Sequence, residues 1–404
     1  MLGQVKRLLF VSESVTLSQV VRLLSLAGRV DRARFEVHFA DSARDDALFA
    51  GARFTRWRIT GAEPEAALSA AAQGRLPSAR LLARQVEEDL ALLERVRPDV
   101  IIGDFRLSLT VSAPLARIPL LSLINAYWSP RRLHRPLPLP EHPLVRWFGP
   151  TAVTEHFERF APKAMALASW GVNRLRRSYG LPGIGDLHEV LTFGDRVLYP
   201  DVPELTPLAA ADAKERFIGP ILWSPAVPIP KWWEEIDGRR PLVYVTLGSS
   251  GDLGVLPIVL EALAALPVEV AVSTAGRVEP RSLGPSVRAA AMLPGDIAAK
   301  RAALVITNGG ASTSYQALYE GTPVLGLPSN LDQYLAMTAI ERFGAGLLVR
   351  SGTASQEGVS RAVARILREP KYAERAEQAK AALRAIDPHV VFERVLAELN
   401  KEGS

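Results

Sequence analysis

Leu304-Val305-Ile306-Thr307-Asn308-Gly309-Gly310-Ala311-Ser312-Thr313-Ser314-Tyr315-Gln316 joins a buried apolar run to a glycine turn and then to a helical pattern. The order strand, turn, helix decides the fold class, because parallel α/β sheets are built by repeating that unit. The glycines remove side chains where the chain turns. The helix start that follows presents unpaired backbone N–H groups and the positive end of its dipole, an arrangement that holds anions without a lysine. Ser312 and Thr313 add hydroxyl donors. A plainer reading fits the same residues, since Thr313-x-x-Gln316 is a capping-box pattern and glycine is an ordinary turn residue. The continuation favours the anion pocket. Gly321-Thr322-Pro323-Val324-Leu325-Gly326-Leu327-Pro328 makes another strand, and Asp332 and Gln333 stand at its end, where an acid and an amide suit vicinal hydroxyls beside a phosphate cradle.

The same alternation runs through both halves of the chain. Residues 8–11, 35–39, 100–102 and 119–124 read as strands, separated by helical patterns such as Leu17, Val20, Val21 and Leu24, and by the run 81–96 that Pro98 stops. Further on, 242–246, 268–272 and 304–307 read as strands, 256–266 as a helix, and 356–400 as helical with breaks near Pro370 and Pro388. This predicts doubly wound parallel sheets with ligands beyond the carboxyl ends of the strands. Two stretches depart from the pattern. Residues 127–150 are too rich in proline, aromatic and basic residues for a helix or a central strand, and a long ordered loop of this kind serves as a binding lid or simply packs. Residues 219–240 hold Trp223, Pro225, Pro228, Pro230, Trp232 and Trp233, a stiff segment whose tryptophans suit a wedge between two bodies.

With 404 residues, 48% hydrophobic and 23% charged, the chain is globular and long enough for two domains. It has no cysteine, which excludes disulfides and thiolate metal sites and suits a reducing cytoplasm; its six histidines are scattered, and no metal site or cofactor is expected. Apolar runs break well before the roughly 20 residues that a membrane span needs, so a soluble protein without stable membrane insertion is expected. The net charge of +5 is modest and no basic stripe with interleaved aromatics stands out, so nucleic acid is not an expected partner. The main basic cluster, Arg131-Arg132-Leu133-His134-Arg135, is either an anion-facing loop or a solvated one.

The series Asn308-Gly309-Gly310, Ser312-Thr313, Gln316, Gly321-Thr322-Pro323, Pro328 and Asp332-Gln333 resembles the nucleotide-sugar signature of glycosyltransferase family one, which includes the UDP-glucuronosyltransferase type and the bacterial antibiotic glycosyltransferases. The spacing is kept over nearly thirty residues. Weaker likeness extends to Gly248-Ser249, to Met292-Leu293-Pro294 and to Asp104. The resemblance implies the GT-B architecture: α/β, with two Rossmann-like doubly wound domains facing a cleft. It places an N-terminal acceptor-binding domain at 1–218, a linker at 219–240, a C-terminal nucleotide-sugar domain at 241–385, and a last helix, 386–404, returning to the first domain. It further implies that Gly309, Gly310, Ser312 and Thr313 surround the donor pyrophosphate, with Asn308 in the turn and Gly248, Ser249 and Ser250 approaching from the opposite loop. Gln316 falls at the ribose, Asp332 and Gln333 at the transferred sugar, and Met292 and Leu293 beside the base. Two departures bear on the donor: the family usually has His at Asn308 and Glu at Gln316, so a potential cation and a carboxylate are both replaced by amides.

An inverting transfer needs a base for the acceptor proton, in-line attack and a sink for the departing diphosphate. The family places a His after strand one, oriented by an Asp from a later strand end. Asp104 matches that Asp, but the loop from Ser12 onward holds no His, and Gln19 stands near the usual place. The open choices are a carboxylate base at Glu13 or Asp104, a histidine from the proline-rich loop (His134 or His142), or lost transfer activity. Gln19, His134 and His142 are the candidate acceptor contacts. The resemblance implies a glycosyltransferase moving a sugar from a UDP- or dTDP-sugar to a small lipophilic acceptor such as a natural product, with a silent binding relative or a nucleotide-sugar epimerase as alternatives.

Overall fold

The computed structural model describes residues 6–43, 45–72, 76–134, 136–139, 141, 143–210, 212–280 and 287–402. The chain divides into two bodies: Met1–Arg135 with Glu158–Ile221 and Ile386–Ser404, and Pro136–Phe157 with Leu222–Ala385. Each body is a parallel sheet with flanking helices.

The first sheet contains β1 (Lys6–Ser12), β2 (Phe35–Asp41), β3 (Thr55–Arg58), β4 (Val100–Asp104), β5 (Leu120–Leu123), β6 (Arg196–Tyr199) and β7 (Glu215–Phe217), in the order β3-β2-β1-β4-β5-β6-β7. The second contains β8 (Leu242–Thr246), β9 (Glu269–Ser273), β10 (Arg288–Ala290), β11 (Leu304–Thr307), β12 (Val324–Gly326) and β13 (Gly346–Leu348), in the order β10-β9-β8-β11-β12-β13. Both orders reverse once, between β1 and β4 and between β8 and β11, which makes each body a Rossmann-like doubly wound unit with its crevice at that point. Register brings the ends of the central strands together: Ser12 is opposite Asp104, and Thr246 is opposite Thr307.

Burial on both faces explains why the central strands are uninterrupted apolar runs. Leu8 and Phe10 of β1 join one core layer with Leu23, Val37, Phe39 and Ile102, whereas Leu9 and Val11 join the layer on the other face with Leu93, Ile101 and Leu109. The last helix, Pro388–Glu402, packs into the first of these layers through Phe392, Val395 and Leu396. The Phe392 ring lies 6.1 Å from that of Phe10. Just before this helix the chain runs against Gly219, whose φ is +82° and where a Cβ would meet the Ile386 carbonyl oxygen at 2.4 Å.

The body boundaries differ from the sequence reading in two places. Residues 136–157 belong to the second body, so the expected 1–218 domain is interrupted, and residues 222–240 of the expected linker fall within the second body, where Trp233 and Ile236 are buried. Trp233 is buried within the second body, with the Arg301 guanidinium 5.3 Å from its ring centre and Arg301 donating to its carbonyl at 2.8 Å. The expected loop at 127–150 also ends early, because the helix Pro143–Ser178 starts inside it. Proline is well suited to a first helical position, where an N–H would have no partner within the helix. Among the described residues no helix is long and apolar enough to cross a membrane.

Truncating Phe392→Ala should open a cavity beside Phe10 and cost about 3–5 kcal/mol. A denaturant melt followed by circular dichroism should show an earlier transition for the first body; an unchanged curve would mean that the last helix is not part of that core.

Candidate functional site

The turn after β11 is built for an empty helix start. Thr307 Oγ1 accepts from the Gly309 N–H at 2.7 Å and Asn308 Oδ1 from the Gly310 N–H at 3.1 Å, so two side chains shape the turn from below. Gly309 has φ +79°, and a Cβ there would meet Met337 Cγ at 2.6 Å. Gly310 is the N-cap of the helix Ala311–Tyr319 and has no side chain to cap it. The first internal bond runs from the Ser314 N–H to the Gly310 carbonyl at 3.1 Å. The preceding first-turn N–H groups therefore have no partner within the helix, which is the condition for anion binding. The capping-box reading of Thr313 and Gln316 is corrected here, because Thr313 lies inside the helix, three residues after the N-cap.

Several residues assigned to the ligand instead brace the pocket. Asn308 is 4% exposed; besides holding Gly310, it donates through Nδ2 to Ser250 Oγ at 3.2 Å. Gln333 is 2% exposed, and its Oε1 accepts from the Ser329 N–H at 2.9 Å and from Ser329 Oγ at 3.1 Å, while Nε2 reaches Ser250 at 3.5 Å. The expected pair of sugar contacts thus splits, with Gln333 tying two loops together and Asp332 half-buried in the first turn of the helix Leu331–Phe343. Gln316 donates to the Trp223 carbonyl at 2.9 Å and lies against Gly295, where a Cβ would meet its Oε1 at 2.2 Å. Leu293 is buried and Met292 half-exposed, so of the two only Met292 offers surface to a base. Ser312 and Thr313 are half-buried and Ser249 is exposed.

The sequence reading missed Arg277, on the loop after β9. Its guanidinium donates to the carbonyls of Gly251 at 2.6 Å and Gly248 at 3.4 Å, and it forms no ion pair among the described residues. Gly251 in turn packs on Asn308, where an added Cβ would come within 2.9 Å. An exposed cation thus flanks the loop facing the glycine turn. The signal available in sequence was only an arginine a few residues past a strand end, preceded by Gly276; the structure puts Ala275 and Gly276 at positive φ.

In the first body, both carboxylates proposed as base are buried and paired. Glu13 accepts from the Ala62 N–H at 2.7 Å and Gln85 Nε2 at 2.9 Å, and pairs with Arg106 at 3.0 Å. Asp104 is fully buried and held bidentately by Arg22 at 3.0 and 3.1 Å. Arg22 also donates to Asn125, which donates to Asp201. Neither carboxylate presents an open oxygen to an acceptor in this arrangement, which corrects the expected role. Gln19 is buried too, and its Oε1 accepts the N–H groups of Val15 at 2.8 Å and Thr16 at 3.3 Å, fixing the start of the helix Leu17–Arg29. His134 is exposed, and His142 lies outside the described residues. The basic loop is not an open anion site either, since Arg131 pairs with Asp212 and Arg132 donates to the His134 carbonyl.

Beyond the carboxyl ends of β1, β2 and β3 lies a cavity of about 380 Å³. Val15, Leu17, Val20, Leu48 and Ile59 give it an apolar wall, and Ser14, Thr16, Asp45 and Glu63 supply polar atoms. Its volume falls in the range of small-molecule sites.

Residues 257–397 match the C-terminal domain of the erythromycin biosynthesis protein CIII-like family. A PGL/p-HBAD biosynthesis glycosyltransferase of Mycobacterium tuberculosis is 45% identical over 364 residues, 90% of this chain and 85% of the relative. The chain belongs to glycosyltransferase family one. A PGL/p-HBAD biosynthesis rhamnosyltransferase of Mycobacterium bovis is 42% identical over 372 residues, 92% of this chain and 83% of the relative. Among solved structures, the spinosyn rhamnosyltransferase SpnG complexed with thymidine diphosphate has a TM-score of 0.67 at 20% identity, covering 96% of this chain and 99% of that one. The fold of this glycosyltransferase is therefore GT-B.

The two glycines of the turn should separate in their effects. Gly310 has φ −66°, and a Cβ there meets nothing closer than 3.3 Å, so Gly310→Val should fold while blocking approach to the first-turn N–H groups. Gly309→Val should instead lower the melting temperature, because it combines a left-handed φ with the Met337 clash. Equal melting temperatures for the two variants would contradict this geometry.

Proposed function

We propose that this glycosyltransferase takes its sugar from a nucleoside-diphosphate sugar, dTDP in preference to UDP, and passes it with inversion to a lipophilic acceptor held in the first-body cavity. The observation that carries the donor reading is the uncapped helix start at Gly310, flanked by Arg277. Breaking the bond between the anomeric carbon and the diphosphate leaves negative charge on the departing oxygen. Fixed N–H dipoles and a guanidinium at that place stabilise the charge without reorganising. Arg277 supplies the cation that Asn308 does not. The thymidine diphosphate of the SpnG complex and the rhamnosyltransferase name of one relative support dTDP.

On the acceptor side, the apolar wall takes the lipophilic part of the molecule while the polar groups receive its hydroxyl. The acceptor oxygen attacks the anomeric carbon from the face opposite the diphosphate, and its proton passes to a carboxylate. Asp45 and Glu63 are the carboxylates lining the cavity, both exposed, and we assign the base to this pair in place of the ion-paired Glu13 and Asp104.

Ligands that bind the folded form raise its melting temperature, so TDP should shift the midpoint more than UDP, and both more than GDP. Absence of any shift would overturn the donor reading. Arg277→Ala should weaken TDP binding about tenfold, roughly 1.4 kcal/mol, by removing a charge-assisted contact. For the base, Asp45→Asn and Glu63→Gln should be compared by acceptor-dependent release of diphosphate. One of them should lower kcat by a factor of about 100 or more and abolish the acidic limb of the pH profile. If neither does, the base lies elsewhere.

A further inference from the structure

The helix Pro143–Ser178 carries an exposed apolar surface that does not line the cavity beyond β1–β3. From Glu158 onward its inner face is fastened to the first body: Ala161, Met165 and Val172 are buried, Asn173 donates to the Gly185 carbonyl at 3.0 Å, and Arg176 Nε to the Pro182 carbonyl at 2.8 Å. Its outer face is apolar where a solvated helix would be polar. Phe160 is 59% exposed, Leu167 74% and Trp170 54%, so that three of the eight exposed large apolar side chains among the described residues lie within three turns of one helix.

These residues share their face with cations. Phe160, Lys163, Leu167, Trp170, Arg174 and Arg177 follow one another at alternating spacings of three and four. At ~100° per residue they form one stripe about 100° wide. Lys163, Arg174 and Arg177 are exposed and form no ion pair among the described residues. The Arg174 guanidinium lies 5.3 Å from the Trp170 ring centre, so the cation and the aromatic form one unit. No acid lies in the stripe.

We propose that this stripe is a docking surface for the anionic headgroups of a lipid bilayer. Phe, Leu and Trp are side chains that settle at the boundary between headgroups and acyl chains, and Lys and Arg beside them neutralise the headgroup charge. A second copy of the chain is a poorer occupant, because pairing the stripe with itself sets three cations against three cations. The attachment is peripheral, since no described helix is long and apolar enough to cross the membrane.

Co-sedimentation of the full chain with vesicles tests the assignment. The protein should bind phosphatidylcholine vesicles containing phosphatidylglycerol, bind pure phosphatidylcholine far less, and be released by salt. The triple variant F160S/L167S/W170S and the charge variant K163E/R174E/R177E should each lose roughly tenfold or more in vesicle binding. Both should retain the TDP-induced thermal shift of the parent, which reports on the second body. Equal binding to both vesicle types, or binding untouched by the charge variant, would overturn the proposal. So would a dimer of the parent that the apolar variant converts to monomer, since the occupant would then be a second copy. Because the charge variant alters only exposed positions, misfolding of the apolar triple would leave the test intact.

Discussion

Reversal of strand order at a central parallel pair is the constraint from which the site geometry follows. Where the order reverses, crossover helices leave to opposite sides of the sheet, and the carboxyl ends of the two central strands remain uncovered. In the second body that pair is β8 and β11, and the loops leaving it are Gly248–Gly251 and Asn308–Gly310. They approach each other closely enough that Gly251 packs on Asn308. The helix beginning at Ala311 then points its positive end into the gap. The corresponding pair in the first body is β1 and β4, and there the Glu13 N–H donates to the Asp104 carbonyl at 3.3 Å.

The two crevices are filled in opposite ways. In the second, side-chain amides tie the loops together from beneath: Asn308 and Gln333 both reach Ser250, and backbone donors remain available above them. In the first, buried ions fill the space themselves. Arg22 grips Asp104, and Arg106 joins Glu13 to Asp89. Such pairs add little net stability over a well-packed apolar core, but losing one partner is costly because the other is left charged and buried. They fix the loop geometry around the neighbouring cavity rather than offering a reactive oxygen to it. The family's expected His-Asp relationship is recast here as Arg22 paired with Asp104, with Gln19 one turn earlier on the same helix capping the chain instead.

A second lock secures Leu139 and Glu141 within the second body. Glu141 accepts from the Tyr334 hydroxyl and pairs with Arg350 at 3.4 Å, and Arg350 also donates to the Leu139 carbonyl at 2.9 Å while its guanidinium lies 4.7 Å from the Tyr334 ring centre. Burial and the neighbouring carboxylate push the Tyr334 phenol upward, so it remains protonated and a donor. These contacts join residues from 193 to 211 positions apart, and no local pattern marks them.

Local chemistry carried much of the fold. Alternating apolar runs located β1, β2, β4, β5, β8, β9, β11 and β12, because strands buried on both faces are continuous in sequence. The glycine turn was legible too, since Thr307 and Asn308 shape it through bonds to the N–H groups of Gly309 and Gly310 two residues on. β3, β6, β7 and β10 escaped notice, as their three or four residues include charged ones and make no apolar run; β13, Gly346–Leu348, is too short to stand out. What the sequence alone determined about this protein was the strand-turn-helix unit at residues 304–319 and the parallel architecture it belongs to. Only the tertiary structure decided which polar side chains remain open to a ligand. A carboxylate or amide at a strand end reads the same whether it faces solvent or an arginine eighty residues away, as Asp104 faces Arg22, and Arg277 gains its place only through a loop carbonyl from another strand.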